Sequence, residues 1–221
     1  MATPGFFDWF QFGVLVSWGA LGVTRAIWFR ARGVRVIALD RQRTLWEMLA
    51  DLLALVCLLV WAYEVVAYTW SFGFHVGSTS LDRVLVDDIA VKVLGAVAGT
   101  TALLIYAIAL RDLGASWRLG IDRDTPGPLV TTGIYRRSRH PIYVAFDLLF
   151  AGTFLANGHL VFLVLAAVWL PLQHVFMLRE ERFLTPLHGG AYRDYCDHVG
   201  RYCSWRGPKG TGFMRMVYSW Q

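Results

Sequence analysis

Residues 142–178 read IYVAFDLLFAGTFLANGHLVFLVLAAVWLPLQHVFML, with Asn157-Gly158 near the middle. Asn-Gly between two apolar runs is a tight-turn signal. The run after it, Leu160 to Leu178, has the roughly 20 residues that a bilayer crossing takes. The run before it, Ile142 to Ala156, is shorter and spans only with help from the residues that precede it. Pro171 marks an expected kink. The segment therefore predicts an antiparallel pair of membrane helices whose open ends meet the same membrane surface.

Three more runs lie upstream. Phe6 to Phe29, Leu45 to Trp70 and Val84 to Leu110 are each long enough to cross. The expected fold class is an all-α, polytopic membrane protein of about five transmembrane helices. It forms one membrane domain over residues 1–221, with a two-helix N-terminal extension (6–70) ahead of a core (84–205). Composition agrees: 56% of residues are hydrophobic, mean hydropathy is +0.46 and only 17% are charged, against about 25% in soluble domains. That excludes an ordinary soluble domain.

The net charge of +5 is almost all arginine, since Lys92 and Lys209 are the only lysines. The arginines sit in loops, where they orient a chain in a bilayer, so the charge gives no reason to invoke nucleic acid. Arg25, Arg30, Arg32, Arg35, Arg41 and Arg43 cluster between the first two runs. Arg111, Arg118, Arg123, Arg136, Arg137 and Arg139 follow the third, and Arg179, Arg182, Arg193, Arg201, Arg206, Lys209 and Arg215 follow the fifth. The other loops are nearly bare. The positive-inside rule then places the N-terminus outside and the C-terminus in the cytosol, in a bacterial inner membrane or the endoplasmic reticulum. Cys57, Cys196 and Cys203 show no metal-ligand spacing.

Some polar residues fall inside the runs. Asp88 and Lys92 are spaced to pair on one helix face. Glu64 and Asp147 have no evident partner in sequence; Asp147, two turns into its helix, would meet Arg137 or line a substrate path. Gln173 and His174 suggest hydrogen-bonded contacts between helices.

At the open end of the hairpin, residues 133–143 read GIYRRSRHPIY. Proline suits a first helical turn, so His140 sits at or beside the cap. There the orphan N–H groups and Arg139 form an anion-receiving corner. His140 lies 17 residues before Asn157 and Glu180 lies 22 after Gly158, about 26 and 33 Å from the turn at 1.5 Å per residue. The corner and the pair Glu180-Glu181 therefore reach one surface at nearly the same depth. Such a site suits a small zwitterion: cations for its carboxylate, carboxylates for an ammonium or a ribose diol. Charge alone would also fit an interfacial salt-bridge ladder plus topology signals, but neither needs Tyr135, Tyr143 or His140.

The pattern Gly133-x-Tyr135-x3-Arg139-His140-Pro141-x-Tyr143, followed by Glu180-Glu181-x2-Leu184-x4-Gly189-x2-Tyr192-x2-Tyr195, resembles the isoprenylcysteine carboxyl methyltransferase family. Phospholipid N-methyltransferases share it. The resemblance covers about Leu113 to Arg201. It implies S-adenosylmethionine as cofactor, held where the last helices and the tail meet the cytosol. By position it implies cofactor contacts from Leu113, Gly114, Trp117, Tyr135, Arg139, His140, Tyr143, Glu180 and Glu181, with Arg139, Glu181 and Arg201 as catalytic candidates and Arg201 nearest the substrate head group. Ala145, Gly127 and His188 depart from the family's usual Gly, His and aromatic residue. The implied reaction is methyl transfer to a lipophilic or lipidated acceptor that enters from the membrane lipids. Two alternatives stand beside it. Sterol reductases, which use NADPH, carry a similar Arg-His-Pro-x-Tyr element, although paired glutamates disfavour a 2′-phosphate. A non-enzymatic protein with a vestigial site is the other.

Overall fold

The computed structural model describes residues 4–32, 44–114 and 127–203. Among the described residues there are five main helices: α1 (Phe6–Ala31), α2 (Leu45–Thr69), α3 (Ile89–Leu113), α4 (Pro141–Asn157) and α5 (Leu160–His198). A single helical turn, Ser78–Leu81, precedes α3, and a 3₁₀ turn, Gly133–Arg136, leads into α4. Among the described residues there is no strand beyond one isolated bridge, Val84 with His159. α1, α2, α3 and α5 are each long and apolar enough to cross a bilayer. α4, at 17 residues, is about 25 Å long and a little short of a full crossing, as its sequence suggests.

Local chemistry sets the helix starts. Thr44 and Glu47 form a reciprocal capping box on α2, with Thr44 N donating to Glu47 Oε2 at 2.9 Å and Glu47 N to Thr44 Oγ1 at 3.3 Å. Asp88 caps α3 by accepting from Ala90 N (2.9 Å) and Val91 N (3.1 Å). This corrects two expectations. α3 begins at Ile89 rather than Val84, and Lys92 pairs with Asp87, not Asp88. A carboxylate just ahead of an apolar run is worth more on the orphan N–H groups than on a lysine a turn further along.

α3 and α4 approach through small residues. A Cβ added at Gly95 would lie 2.4 Å from Ala156 N and 2.7 Å from Gly152 O, and one at Gly152 would lie 3.0 Å from both Gly95 O and Gly99 N. Backbones this close are a usual way for membrane helices to gain dispersion contact. Around this seam lies an aromatic core. Trp18 stacks on Tyr106 at 4.1 Å and Phe150 on Trp169 at 4.3 Å, and the buried Trp61 indole donates to Thr153 Oγ1 at 3.2 Å. Leu52, Leu59, Val97 and Leu104 face outward, fully apolar.

The helix ends sort into two groups. At one end, Arg25 of α1 donates to Gly114 O just past α3, and Arg179 of α5 bridges Asp51 (2.9 Å) and Glu47 (3.3 Å) at the start of α2. At the other, Thr69 of α2 donates to Asp8 O at 3.1 Å, and Leu85 N donates to Gly158 O at 2.8 Å. The described helix ends that flank the arginine-rich stretches thus share one end and those that flank the bare loops the other, an up-and-down arrangement of five segments. Glu64, without a partner in sequence, is fully buried and accepts from Val76 N at 2.6 Å, with His75 Nδ1 at 2.8 Å.

α5 runs far past Leu178. Its backbone leaves helical geometry only at Gly189 (φ 54°, ψ −123°), a left-handed angle that glycine adopts cheaply. The segment beyond, residues 190–198, is helical and packs Tyr192, Tyr195 and Val199 against Leu129, Leu184 and Cys196. The chain then returns over α4: Arg139 N donates to Gly200 O at 3.0 Å.

Candidate functional site

Gly133 begins the loop that builds the site. Its φ is +61°, and a Cβ there would lie 2.1 Å from Asp112 Oδ2, the oxygen that accepts from Ile134 N at 2.8 Å. Asp112 at the end of α3 therefore anchors the 3₁₀ turn that aims Ser138, Arg139 and His140. Tyr195 fastens the same turn from the tail, its hydroxyl donating to Tyr135 O at 2.6 Å. Ser138 Oγ accepts from His140 N at 3.1 Å and donates to Arg201 O at 3.0 Å.

His140 is the residue before α4, with Pro141 in the first turn. Its ring is buried between both glutamates of α5: Nε2 lies 3.1 Å from Glu181 Oε1 and Nδ1 lies 3.6 Å from Glu180 Oε2. Glu181 gathers three cations. Arg201 grips it with both arms, Nε to Oε1 at 2.8 Å and Nη2 to Oε2 at 2.6 Å, and Arg139 Nη2 stands 3.1 Å from Oε1. Burial pushes the Glu181 carboxyl up, but the Arg201 fork, then His140 and Arg139, hold it well below the usual carboxylate range. Burial lowers His140, and Glu180 and Glu181 outweigh it, so the imidazole holds its proton above its ordinary pKa. The result is a largely enclosed, charged cluster of three cations and two carboxylates at one end of the hairpin.

The expected residues divide accordingly. Arg139, His140, Glu180, Glu181 and Arg201 stand together. Tyr143 lies at their edge, 5.5 Å from the His140 ring centre to centre. Tyr135 is buried, its hydroxyl held protonated by burial and by the field of Glu180. Leu113 packs at the margin of the helix core and Gly114 carries the carbonyl that Arg25 takes; they frame the loop. Trp117 lies outside the described residues. Ser138, Asp112, Tyr192 and Cys196 were not singled out as site residues from sequence. The spacing of Tyr192, Cys196 and Val199 at helical intervals after Gly189 was the available signal for the tail.

Two buried donors in this cluster, Arg139 Nε and the Tyr192 hydroxyl, have no hydrogen-bond partner among the described residues. Arg139 Nη1 donates to the Cys196 sulfur on its other side. Glu180, by contrast, is about a third exposed. Donors without an acceptor beside an open carboxylate fit a ligand with both an anionic and a cationic or hydroxylic part.

Residues 91–190 match the phospholipid methyltransferase family. The matched segment holds α3, α4 and α5 as far as its Gly189 break, and with them Arg139, His140, Glu180 and Glu181. The membrane methyltransferase resemblance read from the motifs therefore stands. Methanethiol S-methyltransferase 1 of Bradyrhizobium diazoefficiens is 35% identical over 83 residues, which is 37% of this chain and 28% of the relative. The chain is thus aligned with under a third of that relative's length. Tyr192, Tyr195 and Arg201 lie beyond the family segment, so their contribution to the cluster rests on the geometry alone.

Proposed function

We propose that this protein is an integral membrane methyltransferase that transfers a methyl group from S-adenosylmethionine to a lipophilic acceptor at the cytosolic face. The observation that carries the reading is the meeting of His140 with Glu180 and Glu181, residues 40 or more positions apart that two neighbouring helices bring together, inside a segment that matches a methyltransferase family. When bound, S-adenosylmethionine supplies a methyl group made electrophilic by its sulfonium.

The residues present suit that group. Arg139 Nε and the Tyr192 hydroxyl would receive its carboxylate, and Glu180 its ammonium or ribose diol. Glu181 is already saturated by three cations, so its part is to fix Arg139, His140 and Arg201 in place. Methyl transfer needs an in-line approach with water excluded rather than strong acid or base chemistry. A site closed by a returning tail and floored by apolar helices meets that need. The shared end of the helices that flank the arginine-rich stretches supports a cytosolic site, with the N-terminus outside and the C-terminus inside.

The test is thermal stabilisation of detergent-purified protein by S-adenosylhomocysteine and by NADP⁺. Stabilisation by the first alone is expected. Stabilisation by NADP⁺ alone would favour the reductase, and stabilisation by neither a site without cofactor.

A further inference from the structure

A second polar cluster lies deeper along the same two helices. Asp147 is seven residues beyond His140 on α4, and His174 is seven residues before Glu181 on α5. Seven residues are close to two helical turns. Each therefore lies on the same face as the site residue above it, about 10 Å nearer the hairpin turn. Because the helices are antiparallel, both lie at one depth. Asp147 Oδ1 is buried and accepts no hydrogen bond among the described residues. His174 Nδ1 is 2.6 Å from the Tyr202 hydroxyl, and the two rings are near parallel. Tyr202 directly follows Arg201 in the returning tail. Burial first, and then the charge of Asp147, raise the Tyr202 phenol.

A buried carboxylate oxygen with no donor is costly. A charge in a membrane helix, facing the bundle and not solvent, is a functional feature by default. The group missing here is a hydrogen-bond donor. A carboxylate acceptor would be repelled by Asp147, whereas an amine or a thiol brings the N–H or S–H that Oδ1 lacks.

We infer that Asp147, with the His174–Tyr202 pair, forms the methyl-acceptor subsite and selects a proton-bearing nucleophile, an amine or a thiol, over a carboxylate. The inference rests on the methyltransferase reading above. In the reaction the nucleophile's lone pair forms the new bond to the methyl carbon, and the electrons of the broken C–S bond remain on the donor sulfur as a thioether. The proton of the acceptor passes to Asp147 Oδ1. His174 and Tyr202 position the head group at the mouth of the subsite, where their hydrogen bond is exposed.

The experiment uses the full chain in detergent with labelled S-adenosylmethionine and three acceptors: phosphatidylethanolamine in mixed micelles, decanethiol, and a farnesylated N-acetylcysteine with a free carboxylate. The wild type is expected to methylate the amine or the thiol, which of the two separating a lipid from a small-thiol source, and not the carboxylate. Asp147→Asn should lower kcat by about 100-fold or more, the scale of a lost proton acceptor, while S-adenosylhomocysteine still stabilises it. Tyr202→Phe should raise the acceptor KM several-fold without changing the donor KM, and keeps the inference testable should Asp147→Asn fail to fold. Methylation of the carboxylate alone would overturn the subsite. So would unchanged kcat in a folded Asp147→Asn variant, or unchanged acceptor KM in Tyr202→Phe. A wild type that S-adenosylhomocysteine fails to stabilise would instead overturn the methyltransferase reading itself.

Discussion

Arg201 holds Glu181 by a two-armed fork, Nε to Oε1 at 2.8 Å and Nη2 to Oε2 at 2.6 Å, across the reversal that Gly189 introduces. The tail is thereby tied to the helix it has just left. Charged forks of this kind are the stronger class of hydrogen bond, and removing one partner strands the others. Glu181→Ala leaves Arg139, Arg201 and His140 crowded without the carboxylate that joins them. The expected outcome is a folded protein with a lower Tm that S-adenosylhomocysteine no longer stabilises. Differential scanning fluorimetry in detergent reads both, and retained stabilisation would remove Glu181 from any part in holding the cofactor site.

The same cluster sets a pH dependence. His140 has its pKa raised in the folded protein, so its contribution is fully present below the ordinary histidine value of 6.5 and is lost as pH rises through the higher folded value. Glu181 has its pKa lowered, so its contribution is present above the ordinary 4.5 and is lost as pH falls toward the folded value. Both are in force between those two ordinary values. Tm is therefore expected to be higher at pH 5.5 than at pH 8.5, and His140→Gln should flatten the difference. A wild type whose Tm rises between those pH values would contradict the pairing.

The fold was legible where hydropathy and turn chemistry act alone. The turn at Asn157-Gly158 forms as its sequence indicates, with Gly158 at φ +74° and a Cβ there only 1.8 Å from Val86 O. The meeting of His140 with the twin glutamates was legible too, because helix rise fixes depth. Two things were not. α5 continues through Arg179-Glu180-Glu181-Arg182 because those residues end a hydropathy run without ending a helix; Arg and Glu are good helix formers. The Arg201 fork depends on a left-handed Gly189, and no period in the sequence encodes where a reversed chain lands. The start of α3 was misplaced for a related reason: an aspartate read as an ion-pair partner acts as a cap.

The glycine seam between α3 and α4 separates packing from conformational freedom. A Cβ at Gly95 would press on the backbone of Ala156 and Gly152, atoms that cannot swing aside, whereas one at Gly13 in α1 meets nothing within 4 Å. Gly95→Ala is expected to lower Tm by several degrees, since overpacking a close seam costs about 1–3 kcal/mol. Gly13→Ala should leave Tm unchanged or slightly higher, as alanine is the better helix former. Equal effects at the two positions would mean that α3 and α4 do not meet at this seam.

Ser138 is the smallest part of the site with the most to lose. Its hydroxyl accepts from the buried His140 N at 3.1 Å and donates to Arg201 O at 3.0 Å, so one oxygen joins the start of α4 to the returning tail. Alanine there removes both bonds while changing almost no volume. Stranding a buried N–H costs about 1–3 kcal/mol, and the freed Arg201 carbonyl loosens the backbone that carries the fork on Glu181. Ser138→Ala is therefore expected to lower Tm by several degrees and to weaken S-adenosylhomocysteine binding about tenfold, although Ser138 itself has no charge to offer a cofactor. Ser138→Thr keeps the hydroxyl and should restore most of both. Isothermal titration of the three proteins decides the matter: if alanine lowers Tm but leaves affinity untouched, the tail is a brace for the fold and not a wall of the site.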